Sequence, residues 1–265
     1  MLLRNPFTKS LHDARRSLLG WALAIAGVGA MYASFWPTMQ TPEMADAMAA
    51  YPQALLDALN FDDVTSPTGY LGSAVFGMLI PMLTAVFMIA AGTRAIAGDE
   101  DAGTLDLVLS HPVGRVRVAL HRFGAVLIGI VLVVALLWLA LAAVRGPADY
   151  TSVGLGRLAA MCLHLTLFGT VFGALAFAIG AATGSRAMAI GGSAAVAVLG
   201  YFANAVLPQV QGLEWARNLS PFHWYLGGDP LVNGVQAGGV LLLAGTTAVL
   251  VAVGTWRFTG RDIAV

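Results

Sequence analysis

Residues Gly98 to Arg117 read GDEDAGTLDLVLSHPVGRVR. This is a polar island. Four acids (Asp99, Glu100, Asp101 and Asp106) and two arginines stand between long apolar runs. Lipid offers such a segment nothing, because a charge that leaves water loses its hydration. The island belongs in water and its flanks belong in an apolar phase. The rest of the chain agrees. Of 265 residues, 58% are apolar and only 11% are charged, whereas soluble domains carry about a quarter charged residues. That composition predicts an integral membrane protein. The net charge is zero, so no electrostatic case exists for a nucleic-acid partner. A single cysteine, Cys162, excludes an internal disulfide.

Six apolar runs reach the roughly twenty residues that a crossing helix needs. They lie at about 18–36, 69–92, 118–144, 155–183, 187–207 and 236–256. Only Gly184, Ser185 and Arg186 separate the fourth from the fifth, and ATGSRA there reads as a tight turn. With six spans both termini fall on one side. That side holds eleven of the fourteen Lys and Arg residues; Arg145, Arg157 and Arg217 are opposite. The positive-inside bias places the termini and the island in the cytoplasm. Segment 37–68 has no Lys or Arg and five acids, which suits the outer side. The expected location is the plasma membrane, a bacterial inner membrane. The polar opening stretch and the long first run argue for a retained span rather than a cleaved signal.

Smaller features fill in the outline. Phe7, Leu11, Ala14 and Leu18 recur at helical spacing, so 5–17 is read as an amphipathic helix lying along the interface. Met44, Met48, Tyr51, Leu55 and Leu59 suggest an outer helix within Pro42–Leu59. Small residues are spaced by four in the first span (Ala22, Ala26, Ala30) and the fourth (Gly169, Gly173). Such stripes serve a dimer seam or packing within the chain. Between the last two runs, Phe222, Trp224 and Tyr225 sit among helix breakers. They fit an outer gate or an aromatic interfacial anchor.

In the island, acids lead, which favours a helix N-terminus. Leu105, Val108 and Leu109 then make a narrow apolar stripe, and Pro112 ends the helix. A short helix with an acidic start, held between two spans, fits a groove on another protein. Glu100 to Arg115, EDAGTLDLVLSHPVGR, resembles the segment after the second span in permease subunits of ABC-2 type ABC transporters, which typically reads E-x-G-T-L-E-L-L-L-S-x-P-v-x-R. Asp106 stands where glutamate is commoner and Gly114 where serine is frequent.

The resemblance implies one ABC-2 type transmembrane domain over 1–265. It would be all-α, with six spans, an interfacial helix, a cytoplasmic coupling helix within 98–117 and an outer re-entrant element. It implies an exporter moving a drug, antibiotic or lipid-like substrate. Its partners would be an ABC ATPase and a second membrane subunit, a homodimer giving a 2+2 complex with spans one and five at the seam. Glu100, Asp101, Gly103, Thr104, Leu105, Asp106, Val108, Leu109, Pro112 and Arg115 would couple to that ATPase. No G-x-x-x-x-G-K-[ST] loop occurs in the sequence. No enzymatic role or cofactor is therefore expected in this chain, and ATP and Mg would be bound by the partner. Two other readings are weighed. One is a non-transporting, force-transmitting subunit. The other is an intramembrane hydrolase using Ser193 and His164. His164 lies near Cys162 and Met161, but one helix does not converge them on a metal. His164 is expected to bond a neighbour on its own helix instead.

Overall fold

The computed structural model describes residues 6–41, 50, 52, 66–101, 103 and 114–261. All regular structure among them is helical. The order is α1 (Pro6–Ser34), α2 (Trp36–Met39), α3 (Pro67–Tyr70), a π-helical turn at Leu71–Val75, α4 (Leu79–Ala95) and α5 (Ala97–Asp101). Then come α6 (Arg115–Val144), α7 (Leu155–Thr183), α8 (Arg186–Ala205), α9 (Pro221–Leu226), α10 (Pro230–Asn233) and α11 (Ala237–Gly260). Six stretches are long and apolar enough to cross a membrane: Leu11–Met39, Pro67–Ala95, Arg115–Val144, Leu155–Thr183, Arg186–Gln209 and Ala237–Gly260. Segments 42–49 and 53–65 fall outside the described residues, and with them nearly all of Pro42–Leu59, where an outer helix is expected.

The helices alternate in direction, so the bundle has two distinct ends. At one, α1 begins, α4 ends, α6 begins, α7 ends, α8 begins and α11 ends. Arg94, Arg115, Arg186, Arg257 and Arg261 gather there, and we call it the basic end. The other, aromatic, end carries Trp36, Tyr70, Tyr150 and α9.

The core forms around α7, which packs against α4, α6, α8 and α11 and against α9 and α10 at its aromatic end. In the fourth span 72% of the most apolar window is buried, against 11% in the fifth and the last. Glycine lets α7 sit so centrally. A methyl on Gly92 would stand 2.9 Å from the Gly173 carbonyl carbon, so α4 and α7 meet backbone to backbone. Gly169 faces Thr84 and Met88 of the same α4. The Gly169–Gly173 stripe is thus spent on packing within the chain.

Two elements differ from the sequence reading. Stretch 5–17 is not a separate interfacial helix from Pro6 onward, because α1 runs unbroken from Pro6 to Ser34. Between Phe7 and Leu19 there is neither glycine nor proline, so nothing interrupts the hydrogen-bond ladder. The second span, conversely, is two helices. The chain widens into a π turn, and Phe76–Met78 break the helix before α4. Pro81 in the first turn of α4 has no N–H to carry a ladder back across that break.

Candidate functional site

The polar island is the first candidate, and its two feet are described. After α4, the short helix α5 carries Asp99, Glu100 and Asp101 at its end, not at its start. Gly103 stops that helix: its φ is 66° and its N–H bonds to the Glu100 carbonyl at 3.0 Å. Among the described residues, no atom lies within 4 Å of a methyl placed on Gly103. Glycine is therefore needed there for the left-handed conformation, not for space. Thr104, Leu105, Asp106, Val108, Leu109 and Pro112 lie outside the described residues. The chain returns at Gly114, whose extended backbone opens α6 at Arg115.

Both feet are bound to the finish of α11. The Glu100 carboxylate forms an ion pair with the Arg261 guanidinium, and the two side chains keep only 11% and 20% of their exposure. Arg115 Nη1 donates to the Arg261 carbonyl oxygen at 2.7 Å and reaches the Phe258 carbonyl at 3.5 Å. These are carbonyls that the end of a helix leaves unpaired, and a cation suits the negative end of the helix dipole. The α7–α8 turn completes the junction. Gly184, at φ 69°, closes α7 with an N–H bond to Gly180 O at 2.8 Å. A methyl there would stand 2.8 Å from the Glu100 carboxyl carbon. Nearby, buried Arg122 donates to the last carbonyl of α4, Ala95 O, at 2.9 Å. Asp101 is exposed.

The aromatic trio sits at the opposite end, on α9. Ser220 starts that helix by accepting from Phe222 N–H, and its own hydroxyl donates to Gly200 O on α8 at 2.6 Å. Phe222 is fully buried, edge-on to Phe168 at 4.7 Å between ring centres. Tyr225 is also buried and its hydroxyl donates to Phe76 O at 3.1 Å, the carbonyl at the break in the second span. Burial, with the Cys162 thiol adding to it, holds that hydroxyl well above the usual tyrosine range, so it remains a donor. Trp224 is half-buried and donates to Asn218 O at 2.7 Å. Partial burial, then Arg217, pulls His223 below its ordinary value and keeps it neutral. Phe222 and Tyr225 are thus brought together, whereas Trp224 faces away from them.

His164 accepts from the Gln236 backbone N–H at 3.1 Å, at the start of α11. Its partner is another element, not a neighbour on its own helix as the sequence suggested. Helix neighbours have their N–H groups engaged in the ladder, whereas Gln236 offers a free one. Ser193 is buried with no hydrogen-bond partner, so it makes no bond to His164. Among the described residues no cluster of His, Cys, Asp and Glu could hold a metal ion.

In the sequence Arg261 is simply one of the eleven basic residues on the island's side. A basic residue just past the last span signals a helix end, but its partner lies 161 residues away in sequence. Nothing local could have named Glu100.

Six apolar helices, the fourth buried among the second, third, fifth and sixth, define a multi-pass membrane protein. Residues 3–259 match the family model described as "Multidrug efflux system permease Rv1217c, C-terminal domain". The chain belongs to that family, and is a membrane transporter subunit of the export type. No curated protein matches it.

Proposed function

We propose that this chain is the membrane-spanning subunit of an ATP-driven ABC exporter. The observation that carries the reading is the polar island between spans two and three, at the basic end of a chain in an efflux-permease family. A separate nucleotide-binding subunit, holding ATP and Mg, docks on 98–117. Leu105, Val108 and Leu109 enter its groove, and Asp101 and Asp106 meet basic side chains on it. Closure of two ATPases pushes two islands and rocks two bundles about their common seam, formed by spans one and five. The sparse charge within the spans suits an apolar or amphipathic cargo, since proton-driven transport needs an intramembrane relay. The basic end faces the cytoplasm of a cell membrane. At the other end α9 and α10 form the re-entrant element, with Phe222 and Tyr225 bracing it and Trp224 at the interface.

The test is copurification. Leu105→Asp and Leu109→Asp each place a charge in the docking stripe, and each is expected to lose the ATPase while the bundle keeps its membrane level. An ATPase that stays bound to both variants overturns the docking assignment.

A further inference from the structure

Of the polar groups at the basic end, one set is bound together across four helix ends. Glu100 stands at the island's first foot and Arg115 at its second. Both take hold of one residue, Arg261, which closes α11. The pair lies directly on Gly184 at the α7–α8 turn. Both charges of the ion pair are largely withdrawn from water, so each depends on the other for compensation.

We propose that Glu100, Arg115 and Arg261 form a joint through which movement of the coupling segment is passed to the last span. The proposal rests on the reading of 98–117 as the segment that an ATPase moves. Glu100 is then a positioning residue facing inward, not a contact for the ATPase, and the docking role stays with Asp101 and the residues beyond Gly103. The last span is suited to receive such a pull. It packs chiefly along α7, and only 11% of its most apolar window is buried. Its seam with α7 is close, with a methyl on Gly254 standing 2.8 Å from Ala178 Cα. A helix held along one seam and gripped at one end can tilt about that seam when its end is displaced. Arg115 keeps its hold through a backbone carbonyl, so the island's second foot follows α11 whatever side chain stands at 261.

The experiment measures the joint as a distance. Spin labels are placed at Gly98, on the same short helix as Glu100, and at Thr259 of the full chain, in a Cys162→Ala background and in complex with its ATPase. A single narrow distance distribution is expected, unchanged when ATP and Mg are added, because the two elements move as one. Glu100→Lys should broaden that distribution at least twofold, and Glu100→Lys with Arg261→Glu should narrow it again. Restoration by reversal of both charges ties the distance to the ion pair itself rather than to either residue alone. A broad distribution in the parent, a shift between the labels on adding ATP, or failure of the double reversal overturns the joint. The docking reading fails by a different result, retention of the ATPase by Leu105→Asp and Leu109→Asp, so the two failures are distinguishable.

Discussion

At the scale of single residues, two glycines with nearly the same backbone do different work. Gly103 and Gly184 have φ of 66° and 69°, a region in which a side chain costs about 1–2 kcal/mol. Among the described residues nothing stands against Gly103, whereas Gly184 carries the Glu100–Arg261 pair against its Cα. Alanine at 103 should cost the backbone strain alone. Alanine at 184 should cost that strain and also displace the ion pair. Thermal unfolding of the two purified variants in detergent compares them directly, and Gly184→Ala should melt clearly lower. Equal melting temperatures would mean that the pair gives way freely and that the junction is loose. The turn at 184 was legible in the sequence because glycine followed by serine is a helix stop followed by a cap. Ser185 does accept from Met188 N–H and starts α8. The charge pair resting on the turn was not legible, because it joins positions far apart in the chain.

At the scale of elements, apolar length located all six crossing helices, since lipid selects for that property residue by residue. Breaks and joins inside the helices were hidden for the same reason. The run 69–92 is apolar throughout, so nothing in its hydropathy marks the interruption at Phe76–Met78. The structure shows how the interruption is tolerated. A helix broken at membrane depth leaves carbonyls that lipid cannot satisfy, and the Tyr225 hydroxyl from α9 supplies one of the missing donors. The aromatic trio was read from the sequence as one gate or one anchor. Yet Phe222 and Tyr225 are locked into the core while Trp224 stays half-exposed. Tyr225→Phe keeps the ring and removes the donor, leaving a buried carbonyl unpaired at a cost of about 1–3 kcal/mol. It should lower the melting temperature and speed amide hydrogen exchange near Met78 and Leu79 more than at the basic end. Uniform exchange across the bundle would show that the hydroxyl does not hold the break.

At the scale of the whole molecule, the two least buried spans present different faces. The last span shows Leu241, Leu242, Val249 and Trp256 outward, bulky side chains that lipid tails accommodate well. The fifth span also shows bulky groups, but Ala187, Gly191 and Ala195 form an exposed stripe at four-residue spacing among them. Among the described residues, no atom of the same chain lies within 4 Å of a methyl on Gly191. Small residues gain nothing from lipid, whereas they let two helices approach closely. In the first span Ala22 and Ala26 are buried within the chain, whereas Gly20, Ala24 and Gly27 form an exposed small stripe on another face. In the proposed 2+2 complex, α8 should therefore lie close to its copy within the seam of spans one and five. A disulfide needs Cα atoms within about 7 Å of each other, so it is a strict reporter of that seam. In a Cys162→Ala background, Gly191→Cys should give a disulfide-linked dimer when membranes are oxidised, and Leu241→Cys on the last span should remain monomeric. A Gly191→Cys chain that stays monomeric, or cross-linking through Leu241→Cys instead, would move the seam away from α8. The ATPase-driven rocking proposed for the pair would then need another axis.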